Sequence, residues 1–329
     1  MAILVTGGAG YIGSHMSWLL ADAGENLIVL DDFSTGFEWA LPSQAKIYTG
    51  DVGDIPLLNQ IFTENTVEAV IHFAGSIIVP ESVSDPLKYY NNNTAKSRNL
   101  IEACVSNGID KFIFSSTAAV YGDPEIVPVD EDAPLAPLSP YGTSKLMTEL
   151  MLRDVSLAHD FRYTALRYFN VAGADPKGRT GQSTKNATHL IKVACEASLG
   201  KRDHLGVFGT DFDTPDGTGV RDYIHVSDLA SAHYLALKRL RDGGKSIVMN
   251  CGYGDGYSVR QVIDAVKSVS KVDFTVQEKP RRAGDSPKVV AKNTKILSEL
   301  NWEPKHDDLH QIVEHALNWE RKLSLRNSI

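Results

Sequence analysis

The stretch "AILVTGGAGYIGSH", residues 2–15, decides the fold. Ala2–Thr6 reads as a short buried strand, and glycines follow at positions 7, 10 and 13 as a helical pattern opens at Tyr11. Glycine permits the tight turn and lets backbone approach a ligand closely. A helix start aims unpaired N–H groups and the positive end of the peptide dipoles at whatever lies before it, which suits a pyrophosphate. The spacing is G-x-x-G-x-x-G rather than the commoner G-x-G-x-x-G, and the triplet alone would also fit an ordinary tight turn. The next strand, "NLIVLD" (26–31), adds weight because it ends in Asp31. That is the place of the carboxylate that hydrogen-bonds an adenosine ribose 2′-OH. Asp31 and Asp32 would both repel a 2′-phosphate, so NAD is favoured over NADP.

Outward from there the pattern repeats. "AVIHFAG" (69–75), "KFIFSST" (111–117) and "YTALRYF" (163–169) read as further buried strands, with amphipathic stretches at 11–23, 55–64, 86–107 and 141–158 between them. This is the rhythm of a parallel sheet covered by helices on both faces. The expected fold is α/β, a Rossmann-like doubly wound sheet with a smaller mixed α/β C-terminal unit. We place an NAD-binding domain at 1–170 and a substrate domain at 171–329, with segments of about 221–250 free to rejoin the first sheet. The break comes at "NVAGADPKGRTGQSTKN" (170–186), a loop long enough to expect a function for it. Helical patterns follow near 187–199, 227–241, 258–270 and 308–324.

Composition sets bounds. With 43% hydrophobic and 22% charged residues, the 329-residue chain can bury a full core. A net charge of −8 argues against nucleic acid or an anionic membrane as partner, so an anionic ligand needs local basic groups. No apolar run reaches a membrane span. Cys104, Cys195 and Cys251 are widely spaced and fit neither a disulfide framework nor a metal site, which points to buried thiols in a reducing cytoplasm. No metal is expected.

"SPYGTSK" (139–145) supplies the chemistry. On a helix, Tyr141 and Lys145 share a face one turn apart. An ammonium beside a phenol favours phenolate, and an oxidised nicotinamide would add to that field, so Tyr141 is expected to act as a general base near neutral pH. A hydroxyl partner belongs at the C-terminal end of a strand, where Ser115, Ser116 and Thr117 stand.

Together these residues resemble the extended short-chain dehydrogenase/reductases, and within them the epimerases of UDP-sugars. The similarity runs nearly end to end, through "VTGGAGYIGSH", "VIHFAG", "PLKYYNNN", "SSTAAVYG", "SPYGTSK", "LRYFNVAGA", "DGTGVRDYIHVSDLA" and "PRRAGDSP". The resemblance implies inversion at C4 of UDP-glucose and UDP-galactose through a 4-keto sugar. Tyr141 would take the 4-OH proton, Lys145 would tune it and hold the nicotinamide ribose, and Thr117, with Ser116 second, would be the hydroxyl partner. It further implies that Gly7, Gly10, Tyr11, Ile12, Gly13, Asp31, Asp32, Thr35, Gly36, Asp51, Val52, Phe73, Ala74, Asn92, Ser115, Tyr168 and Phe169 line the NAD site. Asn170, Leu190, Phe208, Arg221, Tyr223, Arg282 and Asp285 would hold the UDP-sugar, the two arginines on the diphosphate. A homodimer through the helices at 86–107 and 141–158 is expected on the same ground.

Three positions depart from the family pattern. Ile77 replaces a frequent lysine, His189 a frequent asparagine, and Val289 a bulky tyrosine common in members restricted to plain hexoses. His189 would either bond a phosphate or pack, and Val289 leaves room for a 2-acetamido group. Three rival readings are weighed. A 4,6-dehydratase needs an Asp-Glu pair where this chain has Ala118 and Ala119. A UDP-pentose epimerase would share the chemistry, and a silent NAD-binding regulator would not need Tyr141 and Lys145.

Overall fold

The computed structural model describes residues 1–185, 187–282 and 285–326. Six strands open the chain: β1 (Ala2–Thr6), β2 (Asn26–Asp31), β3 (Lys46–Thr49), β4 (Val67–His72), β5 (Lys111–Thr117) and β6 (Arg162–Tyr168). Shorter ones follow: β7 (Asn170–Ala172), β8 (Leu205–Phe208), β9 (Val220–Arg221) and β10 (Tyr223–His225). The last are β11 (Ile247–Cys251), β12 (Tyr257–Ser258), β13 (Val276–Lys279) and β14 (Lys288–Val289). The first six and β11 form one parallel sheet in the order β11-β6-β5-β4-β1-β2-β3. Strand order reverses between β1 and β4, and in such sheets a ligand sits outside the carboxyl ends at that reversal.

Helices α1 (Tyr11–Asp22), α2 (Ile55–Glu64), α3 (Val79–Ser84), α4 (Pro86–Tyr89), α5 (Lys96–Ser106) and α6 (Pro140–Ala158) belong to the first half. The later ones are α7 (Leu190–Ser198), α8 (Val226–Arg241), α9 (Val259–Ser270), α10 (Thr294–Leu300) and α11 (Leu309–Arg326). Alternation along the strands makes two cores, one on each face of the sheet. Ile3, Val5, Val29 and Ile71 pack with residues of α1, α8 and α10. Leu4, Ile28, Val70, Phe112 and Phe114 pack with α2, α5 and α6. A third cluster joins α7, α9 and α11 around β8.

The five expected strands are present. Two strands of the sheet had no sequence expectation. β3 (KIYT) is a four-residue edge strand with no buried position, so it lacks the apolar run of a central strand. β11 returns from the second half of the chain, and α8 and α10 return with it. The expected helix at 86–107 is interrupted by a π-helical segment, Tyr90–Ala95, between α4 and α5. Such segments often mark functional sites. Among the described residues, no helix is long and apolar enough to cross a membrane, and the three cysteines are buried and unpaired.

Candidate active site

The glycine loop joins β1 to α1 at the strand-order reversal. Gly7 sits at φ +68, and a Cβ there would lie 2.6 Å from the Ala74 backbone nitrogen. A Cβ on Gly13 would lie 2.1 Å from the Gly7 carbonyl oxygen, so the helix start packs onto the turn only because position 13 is glycine. The N-cap of α1 is Gly10, no side chain caps the helix, and its first turn carries no acid. The Asp31 carboxylate accepts N–H bonds from Ala9 (2.8 Å) and Phe33 (2.9 Å), tying β2 to the loop. Burial raises its pKa, and those two bonds oppose the rise. Each oxygen keeps a lone pair for a ribose hydroxyl. A bare turn, an uncapped helix start and a fixed carboxylate fit a dinucleotide.

The chemistry-bearing residues meet across β5 and α6. Ser139 caps α6 through Gly142 N–H at 3.2 Å, with Pro140 in the first turn. Gly142 brings the helix against the turn after β5, since a Cβ there would stand 2.6 Å from the Ala119 carbonyl oxygen. Tyr141 is thereby buried, near enough to the Thr117 hydroxyl for that group to favour the phenolate. Strand alternation sorts the three hydroxyls. Ser116 points to the opposite face and donates to the Glu149 carboxylate, which Arg167 also engages. Ser115 bonds the Tyr168 hydroxyl, and its carbonyl accepts from Lys145 Nζ at 3.0 Å.

In the protein alone the Tyr141 pKa is raised, because burial outweighs the influence of the Thr117 hydroxyl; the downward shift is expected for the Tyr141–Lys145 pair with NAD bound. The lysine is itself pushed down to about 8 by burial, so it remains mostly protonated at neutral pH while the tyrosine keeps its proton. Desolvation works against both charged forms.

The remaining cofactor-side candidates occupy the ends of β2, β3, β4 and β6 and the π-helical segment. Gly36 lies against Ala9, where a Cβ would come within 2.8 Å of its carbonyl carbon. Thr35 and Asp32 are exposed on the same turn. Asp51 accepts from Gly53 N–H at 2.7 Å and pairs with Lys96. Phe73 and Tyr168 flank His233, Val52 and Ala74 belong to the core facing α2, and Asn92 donates to Ser76 at 3.0 Å. Ile77 is half exposed. Sequence reasoning passed over Asn93. Its amide bridges Ser76 N–H (2.7 Å), Ser76 O (2.9 Å) and Ser144 Oγ (3.0 Å), joining the turn after β4 to α6 from the π-helical segment. The run of three asparagines at 91–93 was the available signal.

Substrate-side candidates fall in two groups. Asn170, His189, Leu190 and Tyr223 line one cleft together with Tyr11 of α1. His189 Nδ1 lies 3.4 Å from the Gln182 amide, and its pKa is lowered by burial and then by Lys192. The second group surrounds Arg221. Val289 pairs with it in register across β9 and β14 and packs with Phe169 against Ala118, Val120 and Tyr121. Arg221 donates to the Val220 carbonyl at 2.9 Å, and no carboxylate among the described residues lies within 4.0 Å of its guanidinium. An Arg221–Asp222 ion pair is ruled out: Asp222 is fully buried and accepts N–H bonds from Tyr253, Gly254 and Ala291. Arg282 does not pair with Asp285 either; its guanidinium lies 3.7 Å from the Phe208 ring centroid.

Among the described residues one trio has metal-ligand chemistry: His225, His306 and His315, whose ring nitrogens lie within 4.8 Å of one another. His225 Nδ1 accepts the Ser227 N–H at 3.0 Å, so the ring proton belongs on Nε2, which faces His315 Nδ1 at 3.0 Å. This wiring makes a hydrogen-bonded chain and leaves His225 no lone pair for an ion.

Fold and site define a nucleotide-sugar enzyme of the dinucleotide-dependent class. The family model described as "NAD dependent epimerase/dehydratase family" matches residues 3–252, and the chain belongs to that family. A UDP-glucose 4-epimerase of Azospirillum brasilense is 59% identical over 321 residues, covering 98% of this chain and 92% of its own. A UDP-glucose 4-epimerase from Brucella ovis, solved in complex with NAD, superposes with a TM-score of 0.94 at 41% identity, covering 96% of this chain and 97% of that one. The UDP-Glc/GlcNAc 4-epimerase of Campylobacter jejuni superposes with a TM-score of 0.86 at 48% identity, covering 98% and 99%.

Proposed function

We propose that this enzyme inverts C4 of UDP-glucose and UDP-galactose reversibly, with NAD held at the glycine loop. The observation that carries the reading is the hydroxyl-only centre: the buried Tyr141 phenol within the influence of the Thr117 hydroxyl, a buried Lys145 anchored on the Ser115 carbonyl, and alanines at 118 and 119. Such a centre can remove and return the proton of an alcohol but has no carboxylic acid and base to expel water, which sets the dehydratase reading aside. NAD supplies the hydride acceptor and donor at C4 and brings a positive ring. Thr117 holds the sugar hydroxyl against Tyr141, Tyr141 takes and returns its proton, and Lys145 anchors to the Ser115 carbonyl while adding positive charge.

Residues 1–170 provide the cofactor wall in this reading, and 171–329 the substrate wall. Arg221 supports the nucleotide assignment because a partly buried guanidinium without a carboxylate is prepared for an anion. Phe208 offers a ring face for the base, Arg282 a second cation, and Asn170, Leu190, Tyr223 and Asp285 complete the wall, with His189 beside them. Val289 leaves space at the sugar, and the Campylobacter jejuni relative is described as acting on both UDP-Glc and UDP-GlcNAc, so acetamido sugars are proposed as further substrates. Galactose metabolism in the cytoplasm is the setting this reading implies, and unpaired buried thiols suit it. We also propose a homodimer through the helical stretches 86–107 and 141–158, supported by a groove lined by Tyr90, Thr94, Ala95, Met147 and Met151.

The test is to incubate UDP-galactose with purified protein without added NAD. Accumulation of UDP-glucose is expected; a 4-keto-6-deoxy sugar, or turnover of UDP-pentoses alone, would overturn the assignment.

A further inference from the structure

The loop after β2 is fastened from behind by Phe37 and Trp39, and through them by Trp319, which also lines the substrate-side cleft. Phe37 N–H donates to the Ala9 carbonyl at 3.1 Å, which lays residues 32–37 over the glycine turn. Behind it the Phe37 and Trp39 rings stack at 5.0 Å and 29°. Trp39 in turn faces Trp319 of α11 at 6.0 Å and 30°, and the Arg326 guanidinium lies 4.2 Å from the Trp39 centroid. Trp319 is buried, donates from Nε1 to Ser183 Oγ at 3.2 Å and fills the space beside Gly181, where a Cβ would lie 2.3 Å from its ring. The C-terminal helix therefore holds the cofactor-side loop and the 173–185 loop through one indole.

We propose that the Trp39–Trp319 contact is a latch that sets how fast NAD leaves. This rests on the reading above that the dinucleotide lies between the glycine turn and the Asp31 loop. Release requires residues 32–37 to lift away from Ala9, and Phe37 and Trp39 lift with them, so the tilted contact with Trp319 must open too. Trp39 acts through the loop, as a positioning residue. The latch is aromatic and cationic, a kind of contact that persists at moderate salt better than an exposed ion pair.

The experiment measures exchange of bound NAD for isotopically labelled NAD in the intact enzyme, with NAD content after desalting as a second readout. Trp39→Ala is expected to speed exchange about tenfold, the scale of losing one aromatic pair and one cation–π contact. Trp39→Phe should restore slow exchange, and turnover at saturating NAD should stay within about twofold of the parent, as for a residue that does not touch the transition state. Trp319→Ala should match Trp39→Ala, with little added effect in the double variant. Exchange at the parent rate in a folded Trp39→Ala enzyme would overturn the latch, as would additive effects of the two indoles. Full NAD content in Gly13→Val would overturn the placement of the cofactor, and the latch with it.

Discussion

In the reading proposed above, the cofactor wall comes mostly from consecutive chain, residues 2–76, whereas the substrate wall is gathered from separated residues: Asn170, His189, Leu190, Phe208, Arg221, Tyr223, Arg282, Asp285 and Val289. In the first, a glycine turn, a helix start and a strand-end acid follow one another in the order the ligand meets them. In the second, short strands β9 and β14 bring Arg221 and Val289 into register although 67 residues lie between them. The first wall is mostly glycine backbone with one strand-end carboxylate, so it admits the dinucleotide through missing side chains and selects against a 2′-phosphate through Asp31. The second is made of side chains, and its selectivity comes from charge and volume. Substitutions in the two walls should therefore fail differently, one by losing cofactor and the other by losing substrate affinity.

Several experiments sharpen or break that contrast. The largest loss should come at the seam between the walls. Tyr141→Phe should lower kcat roughly 100- to 10,000-fold, the range for removing a general acid–base group, while NAD content stays full; steady-state kinetics and cofactor extraction check both. Arg221→Gln should lower kcat/KM for UDP-galactose roughly 10- to 100-fold, the scale of one charged hydrogen bond, and leave NAD exchange unchanged. If NAD is lost instead, the two walls are not separable.

Acid should act next. His15 is lowered to about 4, His72 to about 3 and His233 to about 4, each chiefly by burial. The folded chain therefore keeps these rings neutral at pH values where the unfolded chain, near 6.5, takes up protons. Their stabilising contribution is complete above pH 6.5 and is lost as pH falls toward about 4 and below. Thermal melts across that window should show a steady fall in Tm, and His233→Gln should flatten part of it. The smallest effect is at the sugar: Val289→Tyr should reduce turnover of UDP-N-acetylgalactosamine several-fold relative to UDP-galactose, on the scale of a filled pocket. No turnover of the acetamido sugar by the parent enzyme would remove that proposal.

Much of this was legible because local signals agreed. β1, its glycine turn and Asp31 are contiguous, and the spacing of Tyr141 and Lys145 needs only a helix. Alternation along β5 could have separated Ser116 from Thr117, since the two must face opposite sides of the sheet. The sequence left segments of about 221–250 free to rejoin the first sheet but did not identify the strand or its place: α8 and β11 return after a long excursion, and nothing in "IVMNC" names its neighbour. Nor could it weigh burial against charge. The sequence placed an ammonium one turn from the phenol, but in the protein without cofactor both groups are buried, and burial raises the phenol's pKa and lowers the lysine's. Asn93 was hidden among three like residues, distinguished only by the π-helical segment that turns it inward.

That balance is open to direct measurement. The near-ultraviolet difference between the enzyme and its Tyr141→Phe variant reports phenolate at this position as pH is raised. Without NAD, the account predicts no phenolate until above the ordinary tyrosine value of 10, in keeping with the raised pKa. With NAD bound, the signal should appear near neutral pH. Phenolate near neutral pH without NAD, or none there with it, would contradict the claim that Tyr141 becomes a base only when the cofactor completes the site.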